Sequence, residues 1–126
     1  SSNRKKIPLY GTGKNIRDWI YVEDNIEAIY LICTKGIRNK RYFISSQNEK
    51  TNFQLMKEIF YELKKIDFYN FDSLVKKVTD RKGHDLRYSL KTSDNLKKLN
   101  WRIKTDFKKG INKTINWYLN NKNFFS

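Results

Sequence analysis

One cysteine, one proline, one alanine and five glycines are all that 126 residues (15.3 kDa) contribute of the types that staple, break or relax a chain. A lone Cys33 excludes a disulfide framework and any cysteine-built metal cluster, and it suggests a reducing compartment. The longest apolar run is the six residues Ala28–Cys33, far short of the roughly 20 that a membrane-spanning helix needs. Ser1–Lys6 is basic but no apolar stretch with a cleavage site follows it, so no secretory leader is legible. Acids are also scarce: 13 Asp and Glu stand against 27 Lys and Arg, a formal charge of +14. The expectation from these absences is one cytoplasmic α/β domain with no membrane segment, spanning residues 1–126.

What is abundant is Lys (20), Asn (14) and Ile (13), together 47 of 126 residues. The lysines occur as scattered pairs and never in a block of five, so the charge reads as a compositional skew more than as a nucleic-acid-binding surface. Aromatics reach 15%, enough to build a core. Trp19, Phe43, Phe60, Trp101 and Trp117 are expected there.

Periodicity organises the chain. Ser1–Ile16, with Pro8, Gly11 and Gly13, reads as an irregular loop, and Asp18–Val22 as a short extended stretch. Within Glu23–Lys35, Ile26, Ile29, Tyr30 and Cys33 fall at helical spacing, with acids in the first turn. Arg41–Ser45 (RYFIS) and Leu74–Thr79 read as strands. Thr51–Lys65 opens on a capping box, Thr51 to Gln54, and carries Phe53, Met56, Phe60 and Leu63 on one face. Ser93–Leu99 and Thr105–Asn121 complete the helices, the last with Phe107, Ile111, Ile115, Tyr118 and Leu119 on one side. The pattern is mixed α/β and too irregular for a complete doubly wound sheet.

Two clusters carry chemistry. Asp80–Asp85 and the following residues place Arg81, His84 and Arg87 within seven positions around Gly83, and guanidinium forks match phosphate oxygens. Arg17 directly precedes the Asp18-Trp19 stretch at the rim of a core, where its charge must be paired with Asp18 or Glu23 or face a ligand. The single His84 excludes a multi-histidine metal site. Gly11-x-Gly13 lacks both the third glycine and a preceding strand of a dinucleotide loop.

In order along the chain, Pro8-Leu9-Tyr10-Gly11-x-Gly13, Arg17-Asp18-Trp19-Ile20-Tyr21-Val22-Glu23-Asp24, Asn48-Glu49-Lys50-Thr51-Asn52, Asp80-Arg81-Lys82-Gly83-His84-Asp85-x-Arg87-Tyr88, Leu99-Asn100-Trp101 and Thr114-x-x-Trp117-Tyr118 resemble the extended short-chain dehydrogenase/reductases that act on nucleotide sugars. Within them the set is most similar to the dTDP-glucose 4,6-dehydratases, with related epimerases and UDP-sugar dehydratases as the alternative. The resemblance implies the C-terminal, substrate-binding part of a longer homodimeric enzyme, partnered by its own N-terminal Rossmann domain. That domain would hold NAD and the catalytic residues, leaving this chain with neither cofactor nor catalytic role and inactive alone. The implied reaction oxidises the sugar C4 hydroxyl, eliminates water across C5–C6 and returns the hydride to C6. The implied substrate contacts are Pro8 and Tyr10 beside the base, Asn52 at the nucleotide, Arg17 and Arg81 on the diphosphate, and His84 in the same loop. The chain departs from the family pattern at Lys82, where proline is usual, and at Ser45-Ser46, where two glycines imply a different turn.

Overall fold

The computed structural model describes residues 6–64 and 71–125. The elements run β1 (Ile7–Tyr10), β2 (Ile16–Asp18), α1 (Val22–Lys35), β3 (Glu49–Thr51), α2 (Asn52–Lys64), α3 (Phe71–Leu74), β4 (Val75–Val78), β5 (Arg87–Tyr88), α4 (Asp94–Lys97) and α5 (Phe107–Asn120), with a 3-10 turn at Lys122–Phe125. They make two small sheets. β1 pairs in parallel with β4, Tyr10 opposite Val78. β2 is the centre of the other, antiparallel to β3 and parallel to β5. The mixed α/β architecture agrees with the sequence pattern.

Three strand expectations need correction. The Pro8 segment is β1 and not loop, because four residues of β4 pair with it. Strand β2 begins at Ile16 and ends at Asp18, so Trp19–Tyr21 is a link and Val22 already opens α1. Arg41–Ser45 joins no ladder among the described residues. The helices match more closely. The capping box forms as the sequence dictates: the Thr51 amide donates to Gln54 Oε1 at 2.8 Å, and the Gln54 amide to Thr51 Oγ1 at 3.0 Å. The expected end of that helix, Lys65, lies outside the described residues.

The core is small. Ala28, Leu96 and Trp101 are buried, with Ile20, Leu31, Ile32, Tyr42, Ile44, Leu99 and Ile103 packed against them. Trp101 also donates its indole N–H to the Asp24 carbonyl at 3.0 Å, joining the C-terminal segment to α1. Of the aromatics expected in the core only Trp101 is fully inside; Trp19 and Phe60 are half-buried, and Phe43 and Trp117 are exposed. The apolar stripe of α1 is also turned the unexpected way. Ala28, Leu31 and Ile32 face inward, while Ile26, Ile29, Tyr30 and Cys33 face out.

Asp18, at the end of β2, gathers the chain between Ser45 and Asn48. Its carboxylate accepts the Ser46 amide at 2.8 Å, the Ser46 hydroxyl at 2.5 Å and the Asn48 amide at 2.9 Å. This settles how two serines replace the glycine pair: the left-handed residue of the turn is Gln47, φ 55°, and neither serine has a positive φ. Partial burial pushes the Asp18 carboxyl up, but hydrogen bonds from the Ser45 and Ser46 hydroxyls and the Asn48 and Ser46 amides outweigh it and hold the group below its ordinary value.

Two stability outcomes follow from these contacts. Thr51→Ala removes half of the capping box and should cost about 0.5–2 kcal/mol in denaturant unfolding, while Thr51→Ser should be nearly neutral. Asp18→Asn should cost about 1.5–3 kcal/mol, the range for hydrogen bonds to a charged group. A carboxyl whose folded value is lowered stabilises the fold fully above its unfolded value. Wild-type stability should therefore fall as pH drops below about 4, and Asp18→Asn should flatten that acid limb.

Candidate functional site

The candidate residues are spread over four segments, and the loop from Asp80 to Asp85 draws most of them together. It sits over the β1–β2 turn because β4, which leads into it, is zipped to β1: the Gly11 amide donates to the Val78 carbonyl at 2.8 Å. Gly11 (φ 58°) leaves the loop just enough room, since a Cβ there would lie 2.9 Å from Asp80 Oδ2. Gly13 (φ 70°) is pressed between Leu9 and Phe53. The first glycine thus faces a carboxylate and the second an apolar wall, so this turn does not fit the diphosphate of a dinucleotide.

Arg81 lies over the Tyr10 ring, its guanidinium carbon 4.9 Å from the centroid, a stacked cation–π contact between two candidate residues. His84 Nδ1 lies 3.1 Å from Asp80 Oδ1, and the Arg81 amide donates to the same oxygen at 2.8 Å. The His84 hydrogen bond, with the Arg81 amide second, holds the exposed Asp80 carboxyl below its ordinary value.

Arg17 reaches the same loop from β2. It donates from Nη1 to the Ile16 carbonyl at 2.7 Å and from Nη2 to the Asp85 carbonyl at 3.0 Å. Neither expected acid takes it: Asp18 is occupied by Ser46 and Asn48, and Glu23 pairs with Lys113 at 3.5 Å. Among the described residues neither Arg17 nor Arg81 is in an ion pair, so their charges are oriented by neutral groups and left uncompensated. Arg87 behaves differently. Its Nη2 lies 2.9 and 2.7 Å from the two oxygens of Glu49, a clamp between β5 and β3. Hydrogen bonds from Ser89 and Arg87 keep the Glu49 carboxyl low.

Asn52 opens α2, and its amide donates to the Asn15 carbonyl at 3.0 Å. Pro8 is exposed in β1, opposite Lys76. The residue that sequence reasoning missed is Asn15. It is buried, its Nδ2 donates to the Asp85 carbonyl at 3.3 Å, and it thereby ties the Asp80–Asp85 loop to the start of α2. In a chain with 14 asparagines nothing in the sequence marks it out.

The Tyr-x-x-x-Lys spacing of the family's catalytic pair occurs at Tyr10–Lys14, Tyr61–Lys65 and Tyr118–Lys122, as it will by chance among 20 lysines and 8 tyrosines. Lys65 lies outside the described residues, and Tyr61 and Tyr118 are both exposed. The described residues hold no group of three or more His, Cys, Asp or Glu that could bind a metal ion. No described helix is long and apolar enough to cross a membrane. A separate concavity of about 520 Å³, lined by Trp19, Tyr21, Asn48, Leu55, Phe107 and Ile111 among others, contains none of the candidate residues.

Residues 1–114 match the family model for GDP-mannose 4,6 dehydratase. The chain is 42% identical over 127 residues to a dTDP-glucose 4,6-dehydratase of Escherichia coli, covering 96% of this chain and 35% of that protein. The crystal structure of the Streptomyces venezuelae dTDP-glucose 4,6-dehydratase, which contains NAD, has a TM-score of 0.85 at 35% identity, covering 95% of this chain and 36% of that one. The UDP-glucose 4-epimerase of Thermotoga maritima with UDP-glucose has a TM-score of 0.73 at 26% identity, covering 93% and 36%. The chain spans about a third of the length of the relatives it matches. With the sequence match running over most of its length and the fold shared, the chain belongs to the GDP-mannose 4,6 dehydratase family.

Proposed function

We propose that this chain is the part of a dTDP-glucose 4,6-dehydratase that grips the nucleotide and diphosphate of the substrate. The observation that carries the reading is the pair Arg17 and Arg81: two guanidiniums from distant segments, oriented on one loop by carbonyls and an aromatic ring and not neutralised by acids. A diphosphate supplies the missing negative charge, and each contact to it is charge-assisted. Tyr10 lies under Arg81, with Pro8 two residues earlier on β1, the pair we assign to flank the base, and Asn52 lies across the Asn15 bridge. His84 braces the same loop through its contact with Asp80.

NAD would supply the redox chemistry from the part of the enzyme outside this chain, since the glycine turn here does not suit it. What these residues contribute is positioning. Binding energy taken at the diphosphate, remote from the hexose, holds the sugar in its reacting pose.

The test uses a chimera in which this chain replaces the matching stretch of the E. coli relative, assayed on dTDP-glucose. Arg17→Ala and Arg81→Ala should each raise KM by a factor equivalent to about 2–3 kcal/mol, the loss of a charged hydrogen bond. Arg87→Ala, whose guanidinium is committed to Glu49, should change KM by well under about 1 kcal/mol. Unchanged KM in both Arg17→Ala and Arg81→Ala would overturn the reading.

A further inference from the structure

The loop that carries Arg81 has no apolar footing. Asp80–Asp85 is exposed throughout, and a Cβ added to Gly83 would meet nothing within 4 Å, so the tip stands clear of the body. Bonds within the loop give it its form: the His84 amide donates to the Arg81 carbonyl at 3.3 Å, and His84 Nδ1 meets Asp80. With Gly83 at φ 76°, that amide closes a tight turn. An exposed loop with so little packing belongs to the least stable part of a fold unless polar bonds hold it down.

Its place is fixed from β2. The Asp85 carbonyl accepts two side chains, Arg17 Nη2 at 3.0 Å and Asn15 Nδ2 at 3.3 Å. The next carbonyl, that of Leu86, accepts the Ile16 amide at 2.7 Å. The two side chains on Asp85 are not equivalent. A diphosphate that engages the Arg17 guanidinium competes with a neutral carbonyl for the same N–H groups, and the charged acceptor wins. Asn15 is neutral and only 4% exposed, so an arriving anion leaves it where it is. The anchor is itself tied down, since the Asn15 carbonyl accepts the Asn52 amide at 3.0 Å at the start of α2. At the other end of the loop the Asp80 carboxyl is held low chiefly by His84, and the Asn15 side chain adds a hydrogen bond to it.

We propose that Asn15 is a positioning residue for substrate binding: its buried amide keeps the Asp80–Asp85 loop, and Arg81 with it, in place beside Arg17 when the diphosphate draws Arg17 off the Asp85 carbonyl. This rests on the reading under Proposed function. The chemistry of position 15 is narrow. It must donate toward a carbonyl and a carboxylate at once, which a primary amide does with its two N–H bonds. A carboxylate there would share the neighbourhood of Asp85 with Arg17 and pair with it, cancelling the charge that the ligand needs. Leucine has the same branched outline and donates nothing.

The test is steady-state kinetics of the chimera on dTDP-glucose, with the inhibition constant of dTDP measured alongside. Asn15→Leu should raise KM and that constant about tenfold, as loss of a buried hydrogen bond requires, and leave kcat within about twofold. Asn15→Gln, which keeps the amide, should recover most of the affinity. Asn15→Asp should bind dTDP more weakly than Asn15→Leu. Asn15→Leu combined with Arg81→Ala should match Arg81→Ala alone within about twofold, because the amide acts through that arginine. Wild-type KM in Asn15→Leu overturns the proposal. So does a multiplicative loss in the double variant, or a fall in kcat and thermal midpoint that glutamine does not rescue. Should Asn15→Leu fail to fold, Asn15→Gln and Asn15→Asp decide the matter, and equal dTDP constants for the two overturn it. Unchanged KM in Arg17→Ala and Arg81→Ala removes the substrate reading and this role with it. A raised KM in those two with none in Asn15→Leu removes the positioning role alone.

Discussion

Strand β2 is three residues long, and the carboxylate at its end constrains far more chain than the strand does. Asp18 accepts hydrogen bonds from Ser46 and Asn48, which fixes the approach to β3 and with it the register Asp18–Glu49, Arg17–Lys50, Ile16–Thr51. Thr51 is then both the last residue of β3 and the cap of α2, so the helix starts where the ladder stops. On the other edge Ile16 and Arg17 meet Arg87 and Tyr88. Such short strands hold because side-chain bonds do what longer ladders do elsewhere: Asp18 at one end, Arg87 to Glu49 across β5 and β3, and the buried Asn15 at the other end.

The same arrangement explains why the guanidiniums remain available. A partly buried arginine usually finds an acid. Here three nearby acids are spent on structure: Asp18 on the serine turn, Asp80 on His84 and the Arg81 amide, Glu49 on Arg87. Arg17 is steered by carbonyl oxygens and Arg81 by the face of Tyr10, partners that orient a cation without neutralising it. Holding the fork geometry beforehand lowers the entropy lost when an anion arrives.

Local rules succeeded where the chain's own neighbours decide the outcome. The capping box of α2, the extent of α1 and α5, and the grouping of Arg81 with His84 all depend on contacts within a few residues. They failed where the outcome depends on distant chain. Pro8 and Tyr10 became strand because β4, whose Lys76 and Val78 pair with them, lies alongside. Arg41–Ser45 has strand composition but finds only Ser93 beside it. In α1 the stronger apolar stripe was the natural guess for the core, yet the slimmer set of Ala28, Leu31 and Ile32 fits against Leu96 and Trp101.

By itself the sequence determined the class of elements, the caps, the ordered motifs and the residue types suited to a diphosphate, because helical periodicity, side-chain capping and guanidinium geometry are properties of short stretches. Only the tertiary structure decided which charges stay unneutralised, that Asn15 would join the loop to α2, and which side of α1 turns inward. Those outcomes turn on which distant groups are brought within hydrogen-bonding or packing distance, and no periodicity along the chain encodes that.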